Sequence, residues 1–133
     1  MKVTLRLEDN AKRMLGYLTE WEYPIPWTAE ELTASVCLRA EHRGETIAYV
    51  WLAPLEIEAG VWSLHIIVRK DFRGRWFSWE NWYKFKVVLE LLSVSTLMIE
   101  TYADATRRLA KMLGASEVSE NITYLDLEAN KDG

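Results

Sequence analysis

Residues 61–92, VWSLHIIVRKDFRGRWFSWENWYKFKVVLELL, constrain the fold more than any other stretch of the chain. Val61 to Val68 is an apolar run of strand length, rich in β-branched residues and interrupted by Ser63 and His65. An aperiodic segment follows, in which Arg69, Lys70, Arg73 and Arg75 bracket Gly74. Ser78 is placed to cap a helix, because a serine hydroxyl accepts one of the amide hydrogens that a first turn leaves unpaired. From Trp79 onward, Trp82, Phe85, Leu89 and Leu92 recur at spacings of three and four, which is one face of a helix. Glu80–Lys84 and Lys86–Glu90 have the spacing of ion pairs on an exposed face. Strand, cationic glycine turn and helix N-terminus together make a site for an anion. Backbone amides and the positive end of the helix dipole point the same way.

The flanking sequence supplies the rest of a sheet. Lys2 to Leu7 alternates Val3, Leu5 and Leu7 against Lys2, Thr4 and Arg6, a strand with one wet face. Asp9 is placed to cap a helix through Leu18 that turns Ala11, Met14, Leu15 and Leu18 to one side. Pro24 and Pro26 stop regular structure, and Thr28 with Glu31 has capping-box spacing for a short helix over 28–34. Ser35–Glu41 and Thr46–Leu52 read as strands joined by a hairpin at 42–45, with Gly44 taking a positive φ. After the central helix, Thr96–Thr101 reads as a strand and Asp104 as the cap of a helix to Leu113, ended by Gly114. Ser116–Glu120 and Ile122–Leu127 read as two last strands. The predicted order is β-α-α-β-β-β-α-β-α-β-β.

Length and composition bound the function. The 133 residues suit one domain, 1–128, with a frayed polar tail at 129–133. Seven tryptophans exceed what one small core can hide, so some reach the surface, and they mark either a ligand groove or protein interface or simply a Trp-rich core. A net charge of −4 argues against nucleic acid, while the cations at 69–75 and at Arg107, Arg108 and Lys111 suit a small polyanion. Cys37, the sole cysteine, sits in a strand pattern as a small hydrophobe, and neither a disulfide nor a metal cluster is expected. No apolar run approaches the roughly 20 residues that span a bilayer, and MKVTLRLEDN has no signal-like core. A cytoplasmic protein, or one packaged in a virion, is expected, without membrane contact.

HIIVRKDFRGRW resembles the pyrophosphate loop of the GCN5-related N-acetyltransferase (GNAT) superfamily, in which a hydrophobic strand ending in valine leads through an aromatic residue and Arg-Gly-x-Gly into a helix. Phe72, Arg73, Gly74 and Arg75 match in order, and Trp76 stands where the family has its second glycine. TRRLAKMLGASEV is similar to the family's late helix ending in Leu-Gly-Phe, with Ala115 in place of the aromatic. The resemblance covers roughly residues 35–127, and the Arg-Gly-Arg-Trp form is similar to short GNAT-like proteins of tailed phages. It implies an α+β chain with a GNAT-like acyl-CoA N-acyltransferase fold: a mixed six- to seven-stranded sheet flanked by about four helices.

The same resemblance implies acetyl-CoA as cofactor, held in a splay between strands 61–68 and 96–101. Ile67, Val68, Arg69, Arg73, Gly74, Arg75, Trp76, Phe77 and Ser78 would bind it, with the amides around Arg73 to Phe77 on the diphosphate and Arg69, Arg73 and Arg75 either paired with phosphates or simply a solvated turn. The indole of Trp76 either turns outward, where it would stack on the adenine or the pantetheine, or fills part of that pocket, which would leave the cofactor site dead. The family's acid, a tyrosine on the late helix, aligns with Ala110, and its asparagine aligns with Ala103. Tyr102 and Tyr124 are substitutes for the acid, and His65 and Glu100 are candidate bases, each with a structural alternative as a core or surface residue. No metal site is expected. Two functions follow: acetyl transfer to a small-molecule or protein amine, or a catalytically silent GNAT-like protein that binds a virion or host protein through exposed tryptophans.

Overall fold

The computed structural model describes residues 2–56, 58–100, 107, 110–111, 113–119 and 122–127. Seven strands form one sheet in the order β1-β2-β3-β4-β5-β7-β6: β1 Thr4–Leu7, β2 Val36–His42, β3 Glu45–Pro54, β4 Val61–Val68, β5 Thr96–Glu100, β6 Ser116–Ser119 and β7 Ile122–Asp126. The helices with described bounds are α1 Ala11–Glu20, α2 Ala29–Thr33 and α3 Trp79–Leu91, and a 3-10 turn covers Lys70–Phe72. Residues 107, 110 and 111 are helical too. Their expected cap at Asp104, Thr101 of the expected strand, and the turn at Glu120–Asn121 lie outside the described residues. Strands β4 and β5 run parallel, and the pairs β1–β2, β2–β3, β5–β7 and β6–β7 run antiparallel, so the sheet is mixed. Among the described residues no helix is long and apolar enough to cross a membrane.

The chain divides into two compact units, Met1–Leu52 with Ile66–Trp82, and Ala53–His65 with Tyr83–Gly133. In the first, Met14 and Leu18 of α1, Leu32 of α2, Cys37, Tyr49, Trp51 and Ile67 form a buried cluster. Tyr17, Trp21, Tyr23 and Trp27 pack partly buried against it. Trp51 is fully buried and takes Tyr23 and Trp27 edge-on at 5.1 and 5.6 Å, whereas Trp79 is exposed. Cys37 is buried as expected, and burial pushes its thiol up to about 11. The hairpin turns on Arg43 and Gly44, both at positive φ (52° and 79°), as a two-residue loop between twisted strands requires.

Two local expectations are corrected here. Helix α1 is capped by Asn10 rather than Asp9: Asn10 is extended, and its Oδ1 accepts from the Arg13 amide at 3.0 Å. The alternation in β1 also fails at its end, where Leu7 is 70% exposed while the Glu8 side chain is 1% exposed. Arg6 pairs with Arg39 in register, so Glu8 shares the face that carries Arg39 and Tyr49. Its carboxylate takes the Tyr49 hydroxyl at 2.7 Å, Arg39 at 3.1 Å and the Arg13 guanidinium. Burial alone would raise the Glu8 carboxyl; hydrogen bonds from Arg13 and Tyr49, with the charges of Arg39 and Arg13, outweigh it and hold the group at about 2. Burial and the same carboxylate push the Tyr49 phenol up.

In the second unit, Leu64, Phe85, Leu89, Leu97, Ile99 and Leu125 are buried. The turn before β4 is tied to the start of β5: the Gly60 carbonyl accepts from the Ser95 amide at 2.8 Å, the Thr96 amide at 3.2 Å and Ser95 Oγ at 3.2 Å. Gly114, at φ 92°, ends the late helix as expected. The Ala115 amide reaches back to the Ala110 carbonyl at 3.0 Å, closing the last turn.

Candidate functional site

The turn between β4 and α3 is built around Phe72. The Arg69 amide donates to Ile47 at 2.8 Å, extending the ladder one residue past β4, and the chain then enters the 3-10 turn. Phe72 is buried, with the guanidinium groups of Arg69 and Arg75 over its ring at 4.8 and 5.2 Å and the His42 ring edge-on at 5.7 Å. The Arg69 fork grips the Asp71 carboxylate at 2.7 and 3.0 Å, which holds that carboxyl below its usual range. Arg75 Nη2 donates to the Asp71 carbonyl at 2.7 Å. Arg73 is exposed, with a 3.5 Å contact from Nε to the Val68 carbonyl. Gly74 takes φ 78° with open space around it, so this glycine serves backbone conformation rather than close approach.

The amides of Phe72, Arg73 and Arg75 are used inside the turn, donating to Arg69, Lys70 and Phe72 carbonyls. Among the described residues those of Gly74, Trp76 and Phe77 are not used. Ser78 Oγ accepts from the Asn81 amide at 3.1 Å, the cap read from sequence. Asn81 is a site residue that the sequence reading missed: it is buried, and its Nδ2 donates to the Trp76 carbonyl at 3.3 Å. The Ser-x-x-Asn spacing was the available signal, because an amide three residues after a capping serine lies back over the incoming loop. Trp76 itself is buried, with Phe77 edge-on at 6.0 Å, so the outward alternative does not hold.

The structure gathers Arg69, Arg73, Gly74, Arg75, Trp76, Phe77 and Ser78 into this one turn. Val68 joins it through its carbonyl, and Ile67 turns its side chain into the core. His65 is buried in β4 with its Nε2 2.8 Å from Ser63 Oγ, and burial lowers its pKa to about 4, so the ring is neutral. Glu100 closes β5 opposite Ile122, and its side chain lies outside the described residues, as do Tyr102 and Ala103. Tyr124 is half-buried opposite Met98, and Ala110 is buried without any group to donate a proton. The recorded pairing of β4 with β5 runs from Val61↔Thr96 to Leu64↔Ile99; the expected splay beyond it involves positions outside the described residues. Among the described residues no group of three or more His, Cys, Asp or Glu side chains could hold a metal ion.

No family model matches the chain, and no curated protein matches it in sequence. Solved structures do. Spermidine/spermine N-acetyltransferase SpeG from Vibrio cholerae, in a complex with manganese ions, aligns over 98% of this chain and 96% of its own with a TM-score of 0.73 at 13% identity. The ribosomal-protein-S18-alanine N-acetyltransferase of Escherichia coli aligns over 94% of each chain with a TM-score of 0.69 at 16% identity. The chain has the GNAT fold. A protein of Desulfovibrio desulfuricans assigned to the GNAT family aligns over 95% of this chain and 99% of its own, with a TM-score of 0.72 at 16% identity. At these identities the likeness is one of fold. The mixed sheet, with β4 and β5 running parallel, is the GNAT architecture anticipated above; three helices have described bounds, and residues 107, 110 and 111 are helical besides, against about four helices expected.

Proposed function

We propose that the chain is an acyltransferase that moves an acetyl group from acetyl-CoA to an amine. The observation that carries this reading is the turn 72–78 on a GNAT fold. It holds the amides of Gly74, Trp76 and Phe77, which make no hydrogen bond among the described residues, the exposed cation of Arg73 and a serine-capped helix start. Those groups fit a diphosphate. Arg69 and Arg75 are committed to Asp71 and Phe72, so Arg73 is the arginine with a fork to give. Bound there, the cofactor supplies a thioester: the amine nitrogen bonds the acetyl carbon, the carbon–sulfur bond breaks, the amine gives one proton to a base and the sulfur takes one. His65 is the candidate base among the described residues, with Glu100 as the second and Tyr102 or Tyr124 as the acid.

The test is a titration with acetyl-CoA followed by tryptophan fluorescence, since Trp76 is part of the turn. A saturable change is expected, and Arg73→Ala should weaken it by about 1–3 kcal/mol, the scale of a charge-assisted hydrogen bond. Release of CoA with a panel of amines then reports turnover. A second reading has observations of its own. Trp76 is buried where the family loop has glycine, Ala110 replaces the acid, and α3 exposes Trp79, Tyr83, Val87 and Leu91 at intervals of four. In that reading the protein is a silent GNAT-like binder of another protein, in a host cytoplasm or a virion, as a phage origin would suit. It requires no fluorescence change up to millimolar acetyl-CoA.

A further inference from the structure

Asn81 lies in the first turn of α3 and is buried. Both of its nitrogens reach back along the chain. Its backbone amide donates to Ser78 Oγ at 3.1 Å, and its Nδ2 donates to the Trp76 carbonyl at 3.3 Å. A carbonyl can only accept, so the nitrogen of the side chain, and not its oxygen, faces Trp76. The first bond fixes where Asn81 stands, and the second fixes the peptide that joins Trp76 to Phe77. That peptide is trans and planar, so its C=O and N–H point in opposite directions. With the carbonyl held toward Asn81, the Phe77 N–H points away from Asn81, and among the described residues it makes no hydrogen bond. The amides of Gly74 and Trp76 belong to other peptide planes, which this bond does not hold.

We propose that Asn81 is a positioning residue that aims the Phe77 amide at the anion of the 72–78 turn. It decides whether the amides of Gly74 and Trp76 have Phe77 as a third donor beside them. The role at the anion rests on the transferase reading; the direction of the N–H does not. Without the side-chain donor, the Trp76 carbonyl is a buried acceptor with no partner, which is costly. The peptide between Trp76 and Phe77 then rotates until that carbonyl meets water. The same rotation swings the Phe77 N–H off the anion, because the two groups share one plane. Phosphate oxygens accept hydrogen bonds, so a carbonyl swung toward them repels where the N–H binds.

The first measurement needs no ligand. In weakly aligned, nitrogen-15-labelled protein, the residual dipolar coupling of the Phe77 N–H bond reports its direction against a frame of amides in α1, β2 and β3. The wild-type coupling should fit the direction that the Asn81 bond imposes. A clear misfit overturns the proposal in the unmodified protein, so the result does not depend on whether a variant folds. In Asn81→Leu the Phe77 coupling should change or average toward zero, while Gly74 and the frame keep theirs. Asn81→Asp, the same size without the donor, should behave alike and serves if the leucine variant does not fold. An unchanged Phe77 coupling in either folded variant overturns the proposal. Acetyl-CoA is the second probe. In the wild type the amides of Gly74, Trp76 and Phe77 should all shift as it binds. Asn81→Leu should lose the Phe77 shift and weaken binding by about tenfold, the scale of one hydrogen bond to a charged group. In turnover the variant should raise the acetyl-CoA KM by that factor with kcat within about twofold, a split that lost stability alone does not produce. Wild-type affinity in a variant whose Phe77 N–H has turned overturns the role at the anion. No binding by the wild type defeats the transferase reading and that role with it, whereas the couplings decide the orientation by themselves.

Discussion

Replacing Glu8 by glutamine removes one charge from the middle of a run of ion pairs and keeps the shape of the side chain. The run passes from Arg6 through Glu41 and Arg39 to Glu8, Arg13 and Asp9. The Glu8 carboxyl stands at about 2 in the folded protein against 4.5 for an unperturbed one. At about 1.4 kcal/mol for each factor of ten, that difference corresponds to roughly 3 kcal/mol of stability. The Arg13 side chain is 44% exposed, so solvent screens its share, and the expected loss in Glu8→Gln at pH 7 is about 2 kcal/mol. Because the folded-state value is depressed, the contribution is whole above pH 4.5 and disappears as pH falls through about 2. Urea unfolding of both proteins, followed by tryptophan fluorescence from pH 7 downward, measures it, and subtraction cancels the titration of carboxylates outside this run of ion pairs. The expected difference is about 2 kcal/mol at neutral pH, shrinking below pH 5 toward nothing near pH 2. A difference under about 0.5 kcal/mol at pH 7, or one that is as large at pH 2, would refute the reasoning.

Gly60→Ala should cost about 1–3 kcal/mol, because φ is 85° and the new Cβ would stand 2.7 Å from Ser95 Oγ. Gly44→Ala, at φ 79° in open space, bears only the backbone cost and should lose less in the same urea titration. Thr28→Ala removes the side-chain half of a capping box and should lower stability by about 1 kcal/mol, read as a midpoint shift without change of slope. Cys37 is buried with its thiol raised to about 11, so a thiol reagent at pH 8 should label it in urea and leave the native protein unlabelled. Rapid labelling of the native protein would show that α2, whose Leu32 carbonyl accepts from the thiol at 3.5 Å, opens readily.

How much was legible depended on how local the cause was. Strand β4 has the bounds Val61–Val68 that its apolar run announced, because a buried strand needs only its own residues to declare itself. The capping box at Thr28, the serine cap at Ser78 and the turn at Gly44 were also readable, since each joins groups three residues apart or fewer. The end of α1 was not. The helix is closed by Glu22 at φ 57°, with the Tyr23 amide reaching the Leu18 carbonyl at 2.9 Å, and no glycine marks the place. At the candidate site, the turn and its cations were visible, but their division of labour was not. Nothing in the order of residues says that Arg69 closes on Asp71 while Arg73 stays exposed.

The sequence by itself determined the order of elements, the strand–turn–helix and the glycine that turns it, because periodicity, caps and positive φ are properties of neighbouring residues. Only the tertiary structure decided that Glu8 is buried as an ion, that the indole of Trp76 turns in, and that Ser63 stands beside His65 and Ala53. Each of those outcomes depends on partners brought from another strand or helix. A carboxylate 31 residues from Arg39 and 41 from Tyr49 has no reason to stay charged and hidden until the sheet closes around it.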